Sequence, residues 1–182
     1  REAATAWLNV PDRGLSEMTA GQRRKLAQLV TVRLLAGDTK SSRTIEFRDL
    51  GVGLTPEEMP NTILSLNESN KIMKHYLAGA YGQGGSSTYV SSAATFIAAR
   101  RGSDAPVGFT VVRFEALPAE SYKVGHYVYL TVGGEVLLGD PNLADFPAGT
   151  LVKHFGYDLS GYTSPLGPTS LYGLLNQVLF DP

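Results

Sequence analysis

Apolar residues recur along this chain mainly at every second position, the spacing of half-buried strands. Residues 29–35 place Val30, Val32 and Leu34 on one side, and residues 44–49 place Ile45 and Phe47 on one side. The polar stretch Gly37-Asp38-Thr39-Lys40-Ser41-Ser42 separates them, so the pair reads as a hairpin with one buried face. Further strands are expected over residues 95–100, 107–117, 127–132, 135–138 and 150–157. Gly133-Gly134, between the third and fourth of these, is a strong hairpin turn signal.

Helical spacing is rarer. Residues 16–28 are charged, with Leu26 and few other apolar positions, and read as a short surface helix. Thr55-Pro56-Glu57-Glu58 has the form of a helix start, with Thr55 as N-cap, Pro56 at the first position and Glu58 placed to complete a capping box. Met59, Ile63 and Leu66 would be its inward stripe. A short helix is expected to start near Ser86 or Ser87, and another over residues 170–180 with Leu171, Leu174, Leu175 and Val178 inward. Helices early and late around a mostly antiparallel run of strands predict a two-layer α/β sandwich, a mixed sheet with helices on one face. Between these elements, residues 67–87 are rich in Asn, Ser, Gly and Lys and carry no period. Ordering each backbone residue costs roughly 1–2 kcal/mol, so this stretch is expected to stay mobile until a ligand or another subunit packs on it.

Composition narrows the reading. At 182 residues and 43% hydrophobic, the chain can bury one core, and a single domain spanning residues 1–182 is expected. Sixteen basic residues against 17 acidic ones indicate neither a nucleic-acid groove nor an anionic membrane as partner, so any phosphate site must be local. The absence of cysteine excludes disulfides and thiolate metal sites and fits a cytoplasmic location. No apolar run reaches membrane-spanning length.

Two motifs carry candidate chemistry. The first is Asp49-Leu50-Gly51-Val52-Gly53, at the end of a predicted strand. It reads either as an ordinary turn or as an acceptor on a pocket floor, with Asp49 taking a hydrogen bond from an exocyclic amine and glycines admitting a flat base. The second is Gly79-Ala80-Tyr81-Gly82-Gln83-Gly84-Gly85-Ser86-Ser87, running into a predicted helix. Freed backbone N–H groups at a helix N-terminus make a phosphate cradle; the bland alternative is a flexible linker. A dinucleotide fold is disfavoured, because no strand leads directly into these glycines and hairpins follow them.

In this order, Phe47 through Thr55, then Ser69-Asn70-Lys71-Ile72, then Gly79 through Gly85, then Gly149-Thr150 heading a strand resemble the successive nucleotide-binding boxes of the GHKL ATPases. That group includes gyrase B, MutL, MORC proteins and histidine kinases. The resemblance covers roughly residues 29–157 and implies a Bergerat-like fold, ATP and Mg2+ as ligands, and an ATP-dependent conformational switch within a larger protein. It implies that Asp49 binds the adenine amino group, that Gly51 belongs to the same box, that Gly53 and Leu54 line the base pocket, and that Thr150 supports the adenine contact through a water. Lys71, Gly79, Gly82, Gln83, Gly84, Gly85, Ser86 and Ser87 would belong to a lid over the phosphates, at about residues 67–87. The partners implied are other domains of the parent chain and a homodimer formed through lid closure. The Ser-Asn-Lys-Ile stretch is more similar to the MutL and gyrase side than to histidine kinases, which would also carry a His-bearing helix before the boxes.

One part of the family pattern departs. The resemblance implies an upstream helix with a water-activating glutamate and, one turn later, a magnesium-holding asparagine. Glu2 is the nearby candidate, but Ala6 stands at the asparagine position. The true box is therefore expected before Arg1, in an N-terminally truncated domain, and the alternative is a degenerate module that binds or scaffolds without hydrolysis. Lys71 and Lys74 have the plain alternative of solvated loop charges. His75, His126 and His154 lack metal-ligand spacing and read as packing or surface residues, Phe109, Phe114, Tyr127 and Tyr129 read as sheet-face residues, and Ser86 and Ser87 lack the acid-base partners of a nucleophile.

Overall fold

The computed structural model describes residues 17–37, 39, 42–65, 88–118, 125–141, 143, 145–159, 170 and 172–174. The chain forms two compact units, one of residues 1–31 with 159–182 and one of residues 32–158. In the first, helix α1 (Ala20–Ala27) is the expected surface helix: Thr19 caps it through a capping box with Gln22, and it buries no residue. Tyr172, Gly173 and Leu174 are helical, but Leu174, expected inward, is 44% exposed.

The second unit is built on a seven-stranded sheet of β1 (Val30–Leu35), β2 (Ser42–Asp49), β3 (Ala94–Arg100), β4 (Gly108–Ala116), β5 (Gly125–Tyr129), β6 (Leu137–Leu138) and β7 (Gly149–Asp158), with β1 starting two residues before the unit. The order is β1-β2-β7-β3-β4-β5, and β6 also pairs with β4. The pairings of β2 with β7, β7 with β3, β3 with β4, and β4 with both β5 and β6 are antiparallel. Each predicted strand is present within a few residues of its expected ends. The glycine pair closes a tight turn through a Val132–Glu135 bridge.

The expected two-layer α/β sandwich is corrected. Of the described residues 43% are strand and only ~16% helix, and no helical layer covers a sheet face among them. The physical reason is visible at Thr55. The Thr55 N–H does donate to Glu58 Oε2 at 2.8 Å, as a capping box requires. Yet Pro56–Glu58 forms one turn of 3-10 helix and stops. Pro60 has no N–H with which to reach the Pro56 carbonyl, so an α-helical ladder cannot continue there. The chain instead makes short turns, with Met59 N–H to Pro56 O and Thr62 N–H to Met59 O, both 3.3 Å. The helix expected near Ser86 and Ser87 appears in the described residues as one further 3-10 turn, Tyr89–Ser91.

The two faces of the sheet follow from strand alternation. Ile45, Phe47 and Asp49 of β2 share a face with Thr150, Val152 and His154 of β7, Thr95, Ile97 and Ala99 of β3, and Thr110 and Val112 of β4. This first face carries the main core, where Met59, Tyr89, Ile97, Ala99, Val112 and Val136 are buried, with Leu54, Ile63, Leu64, Tyr127 and Val152 packed against them. Its cover is the loop layer of residues 54–65 and 88–92. The opposite face carries a smaller cluster of Ala98, Val107, Phe146 and Leu151.

Candidate functional site

Of the residues singled out in the sequence, the structure gathers Asp49, Gly51, Gly53, Leu54 and Thr150 at one end of the sheet. Asp49 ends β2 and Thr150 lies directly opposite it on β7; Ala99 of β3 flanks Thr150 on the other side. All three point to the first face. Lys71, Gly79, Gly82, Gln83, Gly84, Gly85, Ser86 and Ser87, and the candidate Glu2, lie outside the described residues.

The turn after β2 sets the Asp49 carboxylate. Its Oδ1 accepts a hydrogen bond from the Gly51 N–H at 2.8 Å, an Asx-type turn that fixes the side chain. The other carboxylate oxygen has no hydrogen-bond partner among the described residues. Gly53 and Gly149 are needed for close backbone approach. At φ +62°, a Cβ on Gly53 would stand 1.9 Å from the Arg100 carbonyl oxygen, and at φ +108° one on Gly149 would stand 1.9 Å from that of Asp49. The left-handed φ and these contacts together exclude an ordinary side chain. These two glycines therefore lash the turn onto the ends of β3 and β7, which is a different role from admitting a base. Leu54 is half-buried in the main core, while Leu50 and Val52 beside the carboxylate are 41% and 53% exposed.

Arg100 and Arg101, which the sequence reading passed over, hold the neighbouring turn. The Arg100 guanidinium donates to the carbonyls of Ala105 (2.8 Å), Phe146 (3.2 Å) and Ser103. Arg101 pairs with Glu58, whose carboxyl is held below its ordinary range by the Thr55 N–H and then by Arg101. No periodicity or motif marks these arginines, because their partners, main-chain carbonyls for Arg100 and the Glu58 carboxylate for Arg101, are reached only by the fold. A cavity of about 490 Å3 opens nearby, lined by Arg100, Val107, Asp140 and Phe146 among others, and includes neither Asp49 nor Thr150.

Glu46, on the face opposite Ile45 and Phe47, is buried and pairs through Oε2 with Lys153 (2.9 Å) and through Oε1 with Arg33 (3.5 Å). His154, assigned nothing from sequence, is buried beneath the loop layer among Phe47, Tyr89 and Tyr157. Phe109 packs against Phe96, and Phe114 and Tyr127 form an edge-on ring pair, as sheet-face residues do. Among the described residues no group of three or more His, Asp or Glu side chains could hold a metal ion, and no helix is long and apolar enough to cross a membrane. No protein-family model matches the chain, and no curated protein matches it significantly.

Proposed function

We propose that this chain binds an adenine nucleotide at the joined ends of β2 and β7, as the nucleotide-binding part of a GHKL-type ATPase in a larger cytoplasmic protein. The reading rests on the resemblance of the ordered motifs and on one observation: Asp49 and Thr150, 101 positions apart in the chain, are register partners, with one Asp49 oxygen held by Gly51 and the other uncommitted. A carboxylate so oriented accepts from an exocyclic amine, and the Thr150 hydroxyl beside it can hold a bridging water. Leu54 would contribute apolar contact to the base. By the resemblance, Lys71 and the glycine-rich stretch from Gly79 to Ser87 would receive the phosphates, and closure there would favour a different arrangement of attached domains or a homodimer.

Magnesium belongs to the same proposal, but the described residues form no ligand set for it, and no step is assigned to it. Hydrolysis by this chain alone is expected to be negligible. A water-activating base must be positioned and unpaired, whereas Glu46 is engaged by Lys153 and Arg33 and Glu58 by Thr55 and Arg101. That observation favours a second reading, a module that binds nucleotide without hydrolysing it. Calorimetric titration of ATP into the protein and into Asp49→Asn tests the adenine assignment. The variant should lose about ten- to a hundredfold in affinity, the equivalent of roughly 1.5–3 kcal/mol for a charge-assisted hydrogen bond. Equal affinity would overturn it.

A further inference from the structure

His154 lies at the centre of the first face, opposite Ile45 on β2 and Thr95 on β3. Its hydrogen bonds determine its tautomer. The Ser92 hydroxyl donates its one proton to the Tyr89 carbonyl at 3.1 Å. Ser92 Oγ and Thr95 Oγ1 are 3.0 Å apart, so Thr95 must be the donor in that pair. With the Thr95 proton so used, its oxygen can only accept across the 2.8 Å contact to His154 Nδ1. Nδ1 therefore carries the ring proton, and the neutral Nε2 is a lone pair facing Thr88 Oγ1 at 3.4 Å.

This relay ties the loop layer to the sheet. Thr88, Tyr89 and Ser92 belong to the turn over the first face, and the Tyr89 hydroxyl donates to the Ile63 carbonyl at 2.9 Å. That bond passes the connection to the segment that carries Leu54, Met59 and Ile63. We propose that His154 is a positioning residue whose neutral, Nδ1-protonated ring pins this layer, and that protonation of Nε2 releases it. A proton on Nε2 would require the Thr88 hydroxyl, 3.4 Å away, to turn and accept, and it would place a charge among Phe47, Tyr89 and Tyr157. The titratable groups facing the ring are Tyr89 from the turn, whose pKa burial pushes up to about 12, and Tyr157 from β7. Glu46 and Lys153 lie on the opposite face paired to each other, Arg43 is opposite Tyr157, and Asp49 is on the same face at the far end of the strand pair. Burial lowers the His154 pKa from its ordinary value, in keeping with a ring held neutral.

The consequence for nucleotide rests on the reading above, since Leu54 and the Asp49 turn are continuous with the pinned segment. Imidazole nitrogen shifts measured by NMR through a pH titration test the tautomer directly, and amide exchange of residues 54–64 and 88–92 over the same range tests the pin. The Nδ1-protonated form should be seen at neutral pH, protonation should occur only below the usual histidine range, and protection in both segments, relative to the intrinsic exchange rate, should fall with that protonation. ATP affinity should fall with the same midpoint, by about tenfold per pH unit at most for one proton. Thr95→Val, which removes the acceptor, should populate the other tautomer, and His154→Asn should make protection relative to the intrinsic exchange rate independent of pH. An Nε2-protonated ring in the unaltered protein, or exchange that ignores the His154 titration, would overturn the proposal. Absence of ATP binding at every pH would instead defeat the nucleotide reading, with shifts and exchange still deciding the pin.

Discussion

The two faces of the sheet each bury a polar side chain, and they satisfy it in opposite ways. On the open face Glu46 is matched by cations, with its two oxygens against Lys153 and Arg33. On the loop-covered face His154 is matched by hydroxyls, with aromatic rings around it. The difference follows from access to water: Lys153 and Arg33 keep part of their side chains in solvent, at 27% and 58% exposure, whereas a charge beneath the loop layer would have no such outlet. It also separates a consumed carboxylate from an available one. Glu46 is the more buried acid, yet Asp49, half-buried at the strand end, is the one with an oxygen to offer.

The comparison can be broken at four points. The largest effect is expected from Ile97→Ala beneath the loop layer, where the side chain is fully buried. It should cost about 2–5 kcal/mol in urea unfolding, while Phe155→Ala, 42% exposed on the open face, should cost less than about 1 kcal/mol. Equal losses would mean that the two faces are covered alike.

Glu46→Ala comes next, at about 1–3 kcal/mol, because Lys153 loses its partner. Combining Glu46→Leu with Lys153→Met should recover most of that loss, since apolar groups of similar volume need no partner. A double variant as unstable as the single would show that packing, rather than charge pairing, was lost.

The third effect is pH-dependent. His154 has a lowered pKa in the folded protein, so below about pH 6.5 the unfolded chain takes up a proton that the folded one resists. Its contribution is present above that pH and is lost as the pH falls, by at most ~1.4 kcal/mol per unit for a single group. Urea midpoints at pH 7.5 and 5.5 should show this loss in the native protein and a smaller one in His154→Asn.

The smallest effect belongs to Arg101→Ala. Arg101 and Glu58 are 47% and 37% exposed, and an exposed pair contributes roughly 0.2–1 kcal/mol. Added salt should diminish the difference between native and variant proteins. A loss that persists in high salt would give Arg101 a packing role.

The sequence by itself determined the strands, because alternation is a local property: a residue such as Ile45 or Ile97 declares its side by its neighbours two positions away. It also marked Asp49 and Thr150, through the motifs around them. It misjudged the helical layer, since the capping signals at Thr55 and Glu58 are equally at home in a single turn and Pro60 denies the next hydrogen bond. Tertiary structure alone decided that Asp49 and Thr150 are opposite one another, that Gly53 and Gly149 are required by carbonyls from other strands, and that His154 Nδ1 lies beside the Thr95 hydroxyl. The reason is common to all three. Each depends on atoms brought together by antiparallel pairing between segments far apart in the chain, and no local pattern encodes which strand will be the neighbour.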